Sequence, residues 1–217
     1  MQREELLDRY RDLRALSARH HSAALGYVAR PAMLERAKHL GLAFGQTLVA
    51  DSEEEVTLVF DLALHTAKPG RSRAIDRYAK AARFAGGSDE ACLLDAMRQA
   101  QFSIWRVRRH HEVAGLIVTD ALREKDIWLL DEALTRHAPP DMGFAGRLFW
   151  PAEFAMTCGA VVPIDPEVLE DALLESSSWL RHTDRHQMAD DPRFAAAIYR
   201  SALDAGGVTY QEVSAAA

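Results

Sequence analysis

WRVRRHHEVAGLIVTD, residues 105–120, is where the chain changes character. Before this stretch apolar residues recur every three to four positions. Within it they alternate, and alternation sends successive side chains to opposite faces of a strand. Trp105 and Val107 belong to one face, Arg106 and Arg108 to the other. Arg109 to Glu112 fall where the chain must reverse before the apolar run Ala114–Val118, which predicts a hairpin with His110 and His111 in its connection.

On either side lie further short β-branched or aromatic runs, each bounded by charged residues, Gly or Pro. FSIWRVRR, EVAGLIVTD, DIWLLDE, GFAGRLFW and FAMTCGAVVPID predict five strands between residues 102 and 163. Their close spacing favours hairpins over helical crossovers, so the prediction is a mainly antiparallel sheet or a small open barrel.

The first hundred residues read as helices. Leu6, Tyr10, Leu13 and Leu16 keep helical spacing from Arg3 to about Ala24, and Pro31 suits the first turn of a helix running towards Leu48. In DSEEEVTLVFDLALH, Ser52 and Glu55 have capping-box spacing. Glu54, Thr57, Asp61 and His65 make one narrow polar stripe on that otherwise apolar helix, which predicts a central, largely buried element. KPG at 68–70 and GGS at 86–88 punctuate two more helices, the second capped by Ser88. After the strands, Asp165 with Pro166 and Asp191 with Pro192 begin two closing helices, and Gly206 and Gly207 stop the last one. The class is α+β: a helical region 1–101, a β-rich region 102–163 and a C-terminal helical region 164–217, forming one compact domain or two closely packed ones.

The net charge of −6 argues against a surface that coats nucleic acid throughout. The acidity sits late, with 18 Asp+Glu against 11 Lys+Arg in residues 102–217. The charged N-terminus lacks a signal-like apolar segment, and no uncharged run reaches the roughly 18 residues a bilayer crossing needs. Cys92 and Cys158 stand far apart without metal-type spacing and read as two buried small hydrophobes in a reducing compartment. A cytoplasmic protein with no membrane partner is expected.

Three candidate sites compete with plain structural roles. Arg71, Arg73, Arg77 and Lys80 belong to a basic helix over 71–84, following another helix across a Pro-Gly turn; long cations on one face suit phosphate contacts. His182 and His186, one helical turn apart, have a spacing that chelates a transition metal, although Thr183 stands where a zinc protease would place its glutamate. His110, His111, Asp120 and Arg147 converge at the rim of the sheet if the protein is an enzyme. The acids Asp120, Asp126, Asp131 and Glu132 do not form a carboxylate cluster: paired as a hairpin, Asp120 and Asp126 lie at the loop end, and Asp131, five residues on, lies roughly 16 Å away, too far to share a metal or a proton. No Walker A, G-x-G-x-x-G or G-x-S-x-G pattern occurs, so no cofactor is expected.

The expectation is therefore a soluble, non-catalytic binding or regulatory protein acting through a protein-interaction surface. Nucleic-acid binding by the basic helix and an enzyme site at the sheet's rim are the alternatives. The Leu6, Tyr10 and Leu13 face of the first helix also suits packing against a second copy of the chain.

Overall fold

A computed structural model describes residues 2–165, 168–170, 172 and 184–206. Five helices come first: α1 (Arg3–Leu25), α2 (Arg30–His39), α3 (Glu53–His65), α4 (Ala74–Ala81) and α5 (Asp89–Arg98), with a small hairpin, β1 (Ala43–Phe44) and β2 (Thr47–Leu48), between α2 and α3. Then come β3 (Gln101–His110), β4 (Leu116–Asp120), β5 (Lys125–Leu129), the short helix α6 (Glu132–His137), β6 (Gly143–Phe149) and β7 (Met156–Pro163). Among the described residues after β7, helices with described bounds are α7 (Arg185–Asp190) and α8 (Pro192–Asp204).

The five long strands form one antiparallel sheet in the order β5-β4-β3-β6-β7. The sheet is open, but its edges touch at one point, where Leu129 bridges Ala155 just ahead of β7. Its two faces build separate cores. Phe102, Ile104, Ala145 and Val162 pack against α3 and α8 through Leu58, Leu62, Phe194 and Ile198. On the other face Trp105, Val107, Leu116, Val118 and Phe144 gather around Leu134 of α6. Trp105 is fully buried and donates its indole N–H to the Gly146 carbonyl at 2.9 Å. α1 and α5 form a third core with Phe149, Phe154 and Met156 through Leu6, Leu13, Leu93 and Met97.

The α+β class and the five-strand antiparallel sheet are thus as the alternating runs predicted, with N-terminal helices before the sheet and α8 packed on it. Several local expectations change. The helix beginning near Pro31 ends at His39, because Gly41 and Gly45 take left-handed backbone angles (φ 74° and 60°) and turn the chain into the β1–β2 hairpin. The basic helix expected over 71–84 shortens to Ala74–Ala81, with Arg71 before it and Arg73 at its N-cap.

The hairpin of residues 105–120 forms, with its turn displaced towards β4. His110 is still paired with Leu116, and Gly115 makes the bend at φ 83°, where a Cβ would lie 2.3 Å from the Leu129 carbonyl oxygen. Asp131 and Glu132 leave the strand pattern altogether. Asp131 caps α6 by accepting the Ala133 and Leu134 amides at 3.1 and 3.0 Å. Cys92 is exposed rather than buried, since it lies on the outer face of α5.

Of the two closing helices, the second begins at Pro192 under the Asp191 cap as expected. The first starts after Asp165, which accepts the Val168 amide at 2.9 Å; most of its expected length lies outside the described residues. Among the described residues no helix is long and apolar enough to cross a membrane.

Candidate functional site

The last two residues of the polar stripe of α3 point inwards. Asp61 and His65, one turn apart, are both 5% exposed, and they meet groups from the sheet and from α8. Arg147 of β6 donates from Nε to Asp61 Oδ2 at 3.0 Å, and the Tyr199 hydroxyl donates to the same oxygen at 3.1 Å. The Arg147 guanidinium lies 5.4 Å from the centre of the Phe102 ring, which also stands edge-on to Tyr199. Burial pushes the Asp61 carboxyl up and Arg147 opposes that shift, while burial raises the Tyr199 phenol well above its usual range. Asp61 and Arg147 are therefore an ion pair held almost out of water, with side-chain exposures of 3% and 8%.

The cluster is incompletely satisfied. Asp61 Oδ1 and both ring nitrogens of His65 are buried without a hydrogen-bond partner among the described residues. Leaving such groups unpaired costs about 1–3 kcal/mol each. His21 of α1 meets His65 edge to face, with ring centres 6.3 Å apart. One ring nitrogen from each histidine and Sγ of Cys158 lie within 4.8 Å of one another. Burial, then the positive charge of Arg14, push His21 down to about 4; burial and Arg147 hold His65 well below the ordinary histidine range. Both imidazoles are therefore neutral at pH 7. Burial and the neighbouring Asp61 carboxylate raise the Cys158 thiol.

A sheet irregularity shapes this site. Gly146 pairs with Val161 and Leu148 with Thr157, so Arg147 alone stands against the three residues Cys158–Ala160 of β7. Gly159 takes φ 109° there, a conformation L side chains rarely adopt. Bulges of this kind re-aim side chains and often neighbour functional sites.

Beside the cluster opens a cleft of about 430 Å³ between the chain after α3 and the start of α8. His65, Lys68, Arg71, Arg73 and Arg147 line it, with Asp190 and Asp191 opposite. Most of these charges are already matched: Lys68 by Glu35, Arg73 by Asp76, Asp190 by Arg123 and Asp191 by Arg193. Two sets of donors are not. Arg71 is exposed and its guanidinium makes no hydrogen bond to the described residues; Arg147 gives Asp61 only its Nε, leaving both terminal nitrogens without an acceptor among them.

The cleft thus brings together Arg71, Arg73 and Arg147, which the sequence assigned to different candidates. The remaining candidates are dispersed. Arg73 also donates to the Arg98 carbonyl, and Arg77 donates to the Ser72 and Tyr27 carbonyls, so these two cations of the basic candidate have partners within the protein. Lys80 is exposed on α4. His110 is exposed at the end of β3, and His111 stacks on Trp128 at 4.1 Å. Asp120 is buried in the β4–β5 turn, accepting from Ser103 Oγ, the Leu122 and Arg123 amides and the Arg123 side chain. Asp126 accepts from Thr119, and Glu132 pairs with Arg11.

Arg147 pairs across from Phe102, eight residues along β3 from His110, or roughly 26 Å at strand rise. The rim grouping of His110, His111, Asp120 and Arg147 therefore does not assemble. His182 lies outside the described residues, and for His186 only its place in α7 is described. His21, Asp61, Cys158 and Tyr199 were not singled out as site residues from the sequence. The usable signal was the α3 stripe, two ionisable residues one turn apart on a helix otherwise too apolar to be exposed.

The chain belongs to a family of unknown function, DUF7986, matching it over residues 4–209. No curated protein and no solved structure matches the chain.

Proposed function

We propose that the protein binds a small anionic ligand, carrying a phosphate or a carboxylate group, in the cleft between α3 and α8. One observation carries this reading. Arg147, which lines the cleft, is a buried guanidinium held by Asp61 through Nε, and its two terminal nitrogens have no acceptor among the described residues. A planar fork held in this way matches the paired oxygens of a carboxylate or phosphate. Arg71 adds an exposed positive charge at the same cleft. The binding class expected from the sequence is kept, while the ligand moves from a protein surface to an anion in a cleft.

The test is thermal unfolding with added inorganic phosphate or short dicarboxylates, against sodium chloride at matched ionic strength. A ligand of the native state at a hundred times its Kd stabilises by about 2.7 kcal/mol. The wild type should shift upwards. Arg147→Lys, which keeps a cation near Asp61 but loses the fork, should lose the shift, and Arg71→Ala should shrink it. An effect no greater than that of chloride, or an equal response from Arg147→Lys, overturns the reading.

A further inference from the structure

We propose that His21, His65 and Cys158 form a site for one borderline-soft divalent cation of the zinc class, with three protein ligands and a fourth position left for water or an added ligand. The inference stands apart from anion binding: it concerns the groups beneath the cleft and needs neither Arg71 nor the terminal nitrogens of Arg147.

Three observations converge on it. First, the donor atoms are already gathered: one nitrogen from each ring and the cysteine sulfur lie within 4.8 Å of one another. A tetrahedral zinc with bonds of about 2.0–2.1 Å to nitrogen and about 2.3 Å to sulfur sets its ligands about 3.5 Å apart. The gap is of the size small side-chain rotations close. Second, His65 is 5% exposed and neither of its nitrogens has a partner among the described residues, so it offers a lone pair that these leave unused. Third, the three donors come from three elements, α1, α3 and β7, and the β7 bulge at Cys158–Ala160 departs from the ladder where the sulfur is presented.

The donor set selects the metal. Two imidazoles and a thiolate favour zinc, cobalt or copper over magnesium or calcium, which take oxygen ligands. Both histidines carry free lone pairs at neutral pH, so neither must lose a proton to bind. Cys158 must: its S–H bond breaks, the sulfur–metal bond forms, and one proton passes to solvent for each cation bound. The nearby Asp61 has one carboxylate oxygen without a partner among the described residues, an acceptor available for a metal-bound water or a ligand ring N–H.

The experiment uses the whole chain without a histidine tag, stripped by chelator and titrated with cobalt(II) in a Cys92→Ser background, so that exposed Cys92 contributes nothing. The expected result is one cobalt per chain, a thiolate-to-cobalt charge-transfer band, and release of one proton at the equivalence point. Zinc should displace the cobalt and abolish the band. Cys158→Ser should remove the band. His21→Ala and His65→Ala should each weaken binding by more than the roughly 10–100-fold typical of losing a mere outer partner. His39→Ala, an exposed histidine on α2, should change nothing. If the wild-type spectrum shows no thiolate band at stoichiometric cobalt, or binding survives Cys158→Ser unchanged, the proposal is wrong. The wild-type spectrum and proton count decide the matter even if a variant fails to fold.

Discussion

Two buried polar clusters lie on either side of one residue boundary in β7. Thr157 belongs to the first, with Arg14, Tyr10 and Asp131; Cys158 belongs to the second, with His21, His65, Asp61, Arg147 and Tyr199 near it. In the first, Arg14 donates to the Thr157 carbonyl at 2.6 Å and to Asp131 and Thr157 Oγ, both at 3.0 Å. Thr157 donates to Asp131 at 2.7 Å, and the other Asp131 oxygen caps α6. In the second cluster, Asp61 Oδ1 and both His65 nitrogens have no partner among the described residues. A network whose members are satisfied fixes structure, here by tying α1 and α6 to β7. One left open gives up stability that only an added ligand restores. The contrast separates scaffold from site.

The contrast can be attacked from several directions. The largest effect should come from cutting the buried ion pair. Asp61→Ala or Arg147→Met leaves an uncompensated charge in the core and should cost about 3–5 kcal/mol in urea unfolding. A loss below about 1 kcal/mol would mean that water reaches the pair.

The pH dependence comes next, measured on chelator-treated protein. His21 is pushed down to about 4 and His65 well below its ordinary 6.5, so the folded state refuses protons that the unfolded chain accepts. Stability should therefore be level above about pH 7 and fall as pH drops from about 6.5 towards 4, by up to about 1.4 kcal/mol per pH unit for each histidine. His65→Leu should remove its share of that slope; an unchanged slope would place the titration elsewhere.

Smaller still, Tyr199→Phe deletes one donor to the Asp61 carboxylate and should cost about 1.5 kcal/mol, read from the urea midpoint. Arg71→Ala should leave the melting midpoint nearly unmoved, within about 0.5 kcal/mol, because the Arg71 side chain bonds nothing in the described protein. A larger loss would make Arg71 part of the scaffold.

The scaffold was far more legible in the sequence than the site. Alternation in residues 102–163 gave the strands because each has one face on a core, and period 2 records that directly. Caps at Ser52, Ser88 and Asp191 were readable because an N-cap is a local interaction within three residues. The α6 helix was hidden because Asp131 and Glu132 continue an apolar strand without a break. The β1–β2 hairpin was hidden because Gly41 and Gly45 act through backbone angles rather than a pattern.

The second cluster draws on α1, α3, β6, β7 and α8, with 138 positions separating Asp61 from Tyr199. No local spacing records such a meeting. Cys158 in MTCGAVV looks like packing because its neighbours are packing, and only the register shift sets it apart. The α3 stripe alone carried the signal, on a helix expected to be largely buried, and its last two residues face the core. The pair His110–His111, conspicuous in sequence, ends in a strand terminus and an aromatic stack.

The central claim is that the Thr157 side of β7 is scaffold and the His65 side is site, and it is tested most directly by urea unfolding of two substitutions in parallel on metal-free protein. Thr157→Val removes a hydroxyl that both donates and accepts inside the satisfied network, and should cost about 1–3 kcal/mol. His65→Leu replaces an unpartnered imidazole by an apolar group of similar size, and should cost less than about 1 kcal/mol or stabilise the fold. A loss from His65→Leu as large as that from Thr157→Val would show that His65 holds the structure together, and would contradict the account.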